Sequence, residues 1–251
     1  MARDEMLTLL KRVTVFNGQH AQLEFISSLS NIQAPSVLSF LNQHGFNLAY
    51  DDPQMFGALM NSNILVRDGV GIEIGMRLLG LPPGLNSCGT DMIPSLLKSL
   101  PDRRIAIFGT REPWLSRASA EISSWGVSVV DVLDGFQPDS KYLERFAATQ
   151  PDVVLLAMGM PKQEILSIRL RDAALKPCLI INGGAVVDFI GGKIPRAPMT
   201  IQSLRLEWLF RLASEPRRLA DRYLIGGPLF LARLANLWLH RAGTRFAKID
   251  V

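Results

Sequence analysis

The sequence has little of what metal centres, disulfide scaffolds and membrane spans require. Only two cysteines, Cys88 and Cys178, and three histidines occur in 251 residues, so we expect neither a zinc cluster nor a disulfide framework, and a reducing compartment fits. No run approaches the roughly 18 charge-free apolar residues of a spanning helix. The longest candidate, residues 224–232, is interrupted by two glycines and a proline. The amino-terminal stretch carries charges within its apolar part, which is unlike a secretory signal.

The composition is that of a globular protein with an unevenly placed positive charge. With 48% hydrophobic and 20% charged residues, disorder is excluded, and the length suits one large domain or a domain with an appendage. The formal net charge is +4, while residues 196–251 alone hold nine Arg, one Lys and four acidic residues. Such a basic segment suits nucleic acid, an anionic membrane surface or a phosphate-bearing substrate, and charge alone does not choose among them.

Short apolar runs alternate with amphipathic stretches from about residue 36. The runs are β-branched and bounded by Gly, Pro, Asn or Asp, which predicts strands. They are residues 36–41, 64–66, 104–108, 127–132, 152–158 and 178–181. Helices are predicted between them, for example over 52–62, 90–100 and 161–175. The pattern predicts an α/β fold with a Rossmann-like, mostly parallel sheet flanked by helices, whose ligands lie beyond the carboxyl ends of the strands.

The composition changes at a Gly/Pro-rich joint over residues 191–198. Three helical pieces are predicted after it, over 200–213, 216–225 and 228–241. We therefore predict an α/β catalytic core over residues 1–195 and a basic, amphipathic helical appendage over 196–251.

One carboxylate, Asp68, follows a predicted strand and precedes Gly69 and Gly71. The glycine spacing is not that of a dinucleotide fingerprint. Two interpretations remain open: Asp68 caps the helix that begins near Val70, or it is a carboxylate that does chemistry at a ligand-facing strand end.

Two further strand ends are candidate anion sites. Gly109, Thr110 and Arg111 lead into a helix whose first N–H groups suit an anion, although an ordinary turn explains them equally well. In the other segment, Gly159 ends a strand and Lys162 occupies the first turn of a helix. A lysine there opposes the helix dipole, and a bound diphosphate would reverse that cost.

Two glycines and two polar residues follow the last predicted strand. Asn182, Gly183 and Gly184 could wrap a ligand while Asp188 meets a ribose or base; the alternative is a Gly-rich bend beneath a buried Phe189.

The remaining polar candidates lie after the first strand and in the basic tail. Asn42, Gln43 and His44 form a polar cluster, and a lone histidine is more often structural than a catalytic base. The tail arginines form either a solvated helix face or a set suited to a diphosphate.

Seven segments in this order resemble the WecG/TagA/CpsF family of bacterial glycosyltransferases, and the likeness covers most of residues 36–225. The segments are RDGVG, GTDM, IFGTR, GMPKQE, NGGAVVDFIGG, RAP and LEWLFRLASEPRRLADRYL. The resemblance implies an inverting transfer of a sugar, such as N-acetylmannosamine, its uronic acid or glucose, from a UDP-sugar to a polyprenyl-diphosphate-linked saccharide. It also implies cell-surface or exopolysaccharide synthesis, with the enzyme peripheral on the cytoplasmic face of the bacterial inner membrane.

The resemblance also assigns residues to the site. The family's catalytic base falls on Asp68. Together with the strand ends above, the expected donor-binding residues are Asn42, Gly69, Gly109, Thr110, Arg111, Gly159, Pro161, Lys162, Gln163, Glu164, Gly184 and Asp188. The expected acceptor or diphosphate contacts are Arg196, Arg211, Arg218 and Arg222.

The sequence departs from the family pattern at four places. Phe40 stands where some relatives have Thr, Asn86 and Ser87 where relatives often have Arg, Thr200 where Trp is usual, and Arg205 where Gly is common. These departures leave the donor sugar open more than the reaction type.

Because no Asp-x-Asp triplet is present, we expect catalysis without a metal, and without a cofactor, by fixed cations. The expected partners are the UDP-sugar, the lipid-linked acceptor and a membrane surface, but no nucleic acid, and a homo-oligomer is compatible with the sequence.

Two other functions fit parts of the sequence. A Rossmann-type oxidoreductase would use Gly109 and a ribose-binding acid such as Asp131 or Asp134, but the fingerprint glycines are missing. A nucleic-acid arm on a non-catalytic domain fits the basic tail, whose few aromatics and strong apolar face favour lipid instead.

Overall fold

A six-stranded, all-parallel sheet forms the centre of the protein, in the strand order β2-β1-β6-β5-β3-β4. The computed structural model describes the backbone of residues 1–246 and the side chains of residues 1–242. The strands are β1 (Ser36–Leu41), β2 (Ile64–Arg67), β3 (Arg104–Gly109), β4 (Ser128–Leu133), β5 (Val153–Ala157) and β6 (Leu179–Asn182). All six predicted strands are confirmed, each to within one residue at either end.

Helices cover both faces of the sheet, as alternate residues of β3 show. Ile105 and Ile107 belong to one buried cluster, and Ala106 and Phe108 to another. The helices are α1 (Arg3–Lys11), α2 (Gln19–Ser28), α3 (Gln43–Asp51), α4 (Pro53–Asn61), α5 (Val70–Leu78), α6 (Gly89–Lys98), α7 (Trp114–Ser124), α8 (Asp139–Thr149), α9 (Lys162–Asp172) and α10 (Val186–Ile190), with a 3-10 turn over Leu29–Asn31. The predicted α/β architecture with a parallel sheet is confirmed.

The described chain after residue 195 is mostly helical and folds back on the α/β core. It forms α11 (Met199–Ser203), α12 (Glu207–Ser214), α13 (Pro216–Ala220), a π-helical turn (Asp221–Ile225) and α14 (Gly226–Phe246). Phe230, Leu234 and Leu237 of α14 are buried in one cluster with Phe46 of α3 and Ile72 of α5. This long helix therefore packs on the core, although the proposed division at residue 195 stays a prediction. The last residues of the predicted appendage, 247–251, lie outside the described part of the chain.

The prediction of one continuous helix over residues 200–213 is wrong, because two separate helices, α11 and α12, occupy this stretch. The chain turns between α11 and α12, where Arg205 has a φ of 60°. Residues other than glycine rarely adopt this left-handed conformation, so a continuous helix is interrupted at Arg205. The predicted second and third pieces instead join, because α13, the π-helical turn and α14 follow one another without a break.

Over residues 1–246, no helix combines the length and the apolar character needed to cross a bilayer.

Candidate active site

A cleft of about 780 Å³ opens at the carboxyl ends of β1 and β2. Its walls come from the loops after these strands, from α5 and from the helical tail. Among the residues that line it are Asn42, Asp68, Gly69, Glu73, Asn86, Trp208, Arg211, Arg222, Tyr223 and Phe230. The tail, residues 196–246, thus supplies one wall of the cleft. The other wall is formed by α5 and by the loops at the carboxyl ends of β1 and β2.

Asp68 faces this cleft because the backbone around it is held in place. Its N–H donates to the Leu41 carbonyl at 2.9 Å, and the Gly69 N–H donates to Asn86 Oδ1 at 2.8 Å. Gly69 has a φ of 87° and is itself the N-cap residue of α5, with no side chain bonded there. The helix-cap interpretation of Asp68 is therefore wrong, and its carboxyl group is free for another role.

The environment of Asp68 suits a proton acceptor. Although part of the side chain is open to the cleft, protein surrounds it, and this burial raises the pKa of the Asp68 carboxyl. The positive charges of Arg222 and Arg211 and a hydrogen bond from Asn42 act in the opposite direction. A base whose pKa lies closer to neutral pH than that of a free aspartate accepts a proton more readily.

Arg67, which sequence reasoning missed, holds the loops beneath the cleft. Its side chain is fully buried and donates to the carbonyl oxygens of Pro83, Gly84 and Gly69 at 2.9, 3.0 and 3.1 Å. It also lies 3.3 Å from Glu73. The available signal was a charged residue at the end of an otherwise apolar strand, where burial demands partners.

Glu73 links the core to the tail. Besides Arg67, its carboxylate meets Arg77 at 3.1 Å and Arg205 of the tail at 3.0 Å. Burial alone would raise the pKa of Glu73, but hydrogen bonds from Arg205 and Arg77 and the charge of Arg67 hold it below its usual value. Arg205, a departure from the family pattern, therefore has a structural partner at the cleft.

The four tail arginines expected at a diphosphate have different surroundings. Arg211 and Arg222 line the cleft, and each has a buried Nε without a hydrogen-bond partner. The π-helical turn carries Arg222, and such turns are frequent at functional sites. Arg196 is paired with Asp91, and Arg218 with Glu215. Of these four arginines, Arg211 and Arg222 are thus the two that line the cleft and form no ion pair with a described carboxylate.

The other predicted strand ends meet at the carboxyl ends of β3, β5 and β6, outside the lining of the cleft. Thr110 donates a hydrogen bond to the Asp188 carboxylate, which also lies 3.0 Å from Lys193 Nζ. Thr110 and Asp188 therefore form one polar group, although β5 lies between the two strands, β3 and β6, that they follow.

An exposed aromatic ring stands beside this group. Arg111 packs over the ring of Phe136 at 4.4 Å, and Phe136 is 66% exposed. Sequence reasoning missed Phe136, although its place in the loop after β4 was a signal. Lys162 Nζ donates to the carbonyls of Gly135 and Gln137 at 3.0 and 2.8 Å, so it ties the same loop to α9.

Gln163 and Glu164 lie beneath the loops. Each side chain is 1% exposed. Gly159 and Gly184 are partly exposed and form the turns above them, with φ values of 82° and 58°. Pro161 is the N-cap residue of α9.

The charge of Arg222, a residue that lines the cleft, acts on two further buried groups. Burial, and then the charge of Arg222, lowers the pKa of His44 to about 4, and the same guanidinium opposes the burial that raises the pKa of Glu164 to about 7. His44 is therefore neutral at neutral pH. Cys88 also borders the cleft, but burial raises the pKa of its thiol to about 12, so the thiol is protonated at neutral pH.

Within residues 1–246, no cluster of three His, Cys, Asp or Glu residues is arranged to hold a metal ion.

Comparison with known proteins gives a consistent result. Residues 9–244 match the family described as "Glycosyl transferase WecG/TagA/CpsF family". Two relatives carry the name N-acetylglucosaminyldiphosphoundecaprenol N-acetyl-beta-D-mannosaminyltransferase. The one from Bacillus spizizenii is 25% identical over 215 residues, which cover 78% of this chain and 83% of the relative. The one from Bacillus subtilis is 29% identical over 188 residues, which cover 73% of each chain.

Proposed function

The chain belongs to the WecG/TagA/CpsF family of glycosyltransferases, and from this premise we propose that it transfers a sugar, with inversion, from a UDP-sugar to a polyprenyl-diphosphate-linked saccharide. N-acetylmannosamine is the first donor sugar to test and N-acetylglucosaminyl-diphosphoundecaprenol the first acceptor, because the relatives' names contain both. The observation that carries the proposal is that Asp68, Arg211 and Arg222 line one cleft.

The donor nucleotide is proposed to lie across the carboxyl ends of β3, β5 and β6. Phe136 offers an exposed ring for stacking of the base, and Asp188 offers a carboxylate for ribose hydroxyls. From there, the diphosphate reaches Arg222, whose charge acts on both the loop region and Asp68. Ligands of open α/β sheets occupy this edge in general.

The acceptor saccharide is proposed to enter the cleft against its aromatic wall. The rings of Trp208 and Tyr223 lie 5.7 Å apart, tilted by 48°, and both line the cleft. An aromatic pair of this kind presents a large apolar area with a polar edge, which suits the alternating faces of a sugar.

In the proposed mechanism, an acceptor hydroxyl attacks the anomeric carbon opposite the departing UDP. A carbon–oxygen bond forms to the acceptor as the bond to the diphosphate breaks, and Asp68 takes the hydroxyl proton. Arg211 and Arg222 neutralise the negative charge that develops on the diphosphate, without a metal. A single displacement inverts the configuration of the anomeric carbon.

The enzyme is proposed to work at a membrane surface, peripherally on the cytoplasmic face of the bacterial inner membrane. Exposed apolar side chains of the π-helical turn and of α14 support this location: Leu224, Ile225, Leu229, Leu231 and Leu239.

The test is a screen of UDP-sugars against polyprenyl-diphosphate saccharides with the purified chain, with nucleotide binding measured in parallel. We expect saturable UDP binding and an extended, inverted glycoside from at least one pair. Tight NAD binding with no UDP binding would favour the Rossmann-type oxidoreductase and refute the proposal.

A further inference from the structure

The buried side chain of Gln163 joins the two loops that follow β5 and β6. Its Oε1 accepts the N–H of Gly159 at 3.2 Å and the N–H of Gly184 at 3.1 Å. One loop follows β5 and the other follows β6, so a single amide oxygen sets the distance between two adjacent strand ends. Without this acceptor, both partly buried N–H groups would lose a hydrogen bond, and leaving such a donor unpaired destabilises the fold.

Glu164 fixes which end of the Gln163 amide faces the glycines. Gln163 Nε2 donates to Glu164 Oε1 at 2.8 Å, within the protein interior. An amide has one accepting and one donating end, and the carboxylate partner requires the donating end. The accepting end is therefore left for the two backbone N–H groups, and the arrangement cannot flip without losing three hydrogen bonds.

Neither side chain has surface available to a ligand. Both are 1% exposed, and Glu164 Oε2 is buried without a hydrogen-bond partner. The two residues were expected to border the nucleotide sugar, but their surroundings place them one layer below it. Gly159 and Gly184, which they hold, form the surface turns.

We propose that Gln163 and Glu164 are positioning residues: they hold the β5 and β6 loops at the spacing that the nucleotide diphosphate of the donor requires, without touching it. This inference rests on the proposed donor site. Substitutions that break the hydrogen bonds of Gln163 should therefore weaken donor binding, and substitutions that keep them should not. Acceptor binding should change little, since the acceptor cleft lies at β1 and β2.

The experiment compares two variants. Gln163→Met keeps the length and burial of the side chain but removes its acceptor. The swap Q163E/E164Q exchanges the partners, so that a carboxylate at 163 accepts from both glycines and from the amide at 164. We expect Gln163→Met to raise KM for the UDP-sugar at least tenfold with the acceptor KM within twofold, and the swap to restore the donor KM to within about threefold.

Each alternative predicts a different result. If Gln163 only fills space, Met serves equally and the donor KM stays within twofold, which overturns the inference. If Gln163 contacts the donor through its amide, the swapped carboxylate repels the diphosphate and the donor KM stays raised, which also overturns it.

Controls separate folding from positioning. The melting temperature of each variant is measured, and the swap decides the matter if Gln163→Met does not fold. Gln33→Met, at an exposed glutamine before β1, is the matched control. Absence of transfer from any UDP-sugar by the unmodified chain would instead refute the proposed function itself, whereas wild-type transfer with an unaltered donor KM in Gln163→Met refutes this inference alone.

Discussion

The guanidinium of Arg222 and the carboxyl of Asp68 face one cleft, and each favours the charged form of the other. Arg222 opposes the burial that raises the pKa of Asp68, and Asp68 opposes the burial that lowers the pKa of Arg222. Arg222 comes from a π-helical turn of the tail, and Asp68 from the end of β2. The proposed base, Asp68, and the proposed diphosphate-binding residue, Arg222, are therefore coupled electrostatically. Neither the sheet nor the tail forms the site alone.

Replacement of the proposed base tests its role directly. Asp68→Asn keeps the shape of the side chain but removes the proton acceptor, so we expect kcat to fall by roughly 10²- to 10⁴-fold. UDP affinity, measured by calorimetry, should change little. Asp172→Asn, at an exposed carboxylate at the end of α9, is the control. Turnover within a few-fold of the unmodified enzyme would show that Asp68 is not the base.

Arg222 should be irreplaceable even by lysine. A guanidinium offers a planar fork of donors to phosphate oxygens, whereas an ammonium is a point charge. We expect Arg222→Lys and Arg222→Ala to lower kcat by about 10²-fold or more, as loss of a transition-state donor does elsewhere. Arg217→Ala, at an exposed arginine of α13, controls for net charge. Full activity of Arg222→Lys would mean that only charge matters at this position.

Much of this site follows from local sequence, and the rest depends on long-range contacts. The strands were predictable because each β-branched run ends at a turn residue, and Asp68 stood out because it directly follows one. The ion pair between Arg205 and Glu73 joins residues 132 positions apart, and Arg67 donates to the carbonyls of a later loop, so no local pattern reveals these contacts. The burial of Gln163 was equally hidden, since the first turn of a helix usually faces solvent.

Metal removal should leave the rate unchanged. In the proposed mechanism, the charge of the leaving diphosphate is neutralised by Arg211 and Arg222, which line the cleft. We expect EDTA at millimolar concentration, followed by desalting, to keep the initial rate within twofold. A loss of rate that Mg²⁺ or Mn²⁺ restores would contradict metal-free catalysis.

Membrane association should depend on the apolar surface of the tail. Leu224 and Ile225 are 65% and 64% exposed on the π-helical turn. Burying such side chains in a bilayer interface contributes about 1.5–3 kcal/mol each at most, so L224S/I225S should weaken binding to anionic vesicles at least tenfold. Leu175→Ser, at an 87% exposed leucine on the loop before β6, is the control. Equal weakening by both variants in a co-sedimentation assay would disprove a specific membrane face.

Glu164 should make the fold less stable as the pH rises. Burial raises its pKa from 4.5 to about 7, so the folded state holds a proton that the unfolded state releases. The protonated carboxyl group stabilises the folded state fully below pH 4.5, and this stabilisation is lost as the pH rises to about 7. The size of the pKa shift corresponds to a loss of about 3 kcal/mol in the free energy of unfolding. Glu164→Gln cannot ionise and should lack this loss, while still accepting the hydrogen bond from Gln163. Urea unfolding of both proteins at pH 5 and pH 8 measures the difference, and parallel changes in the free energy of unfolding would show that Glu164 is ionised throughout.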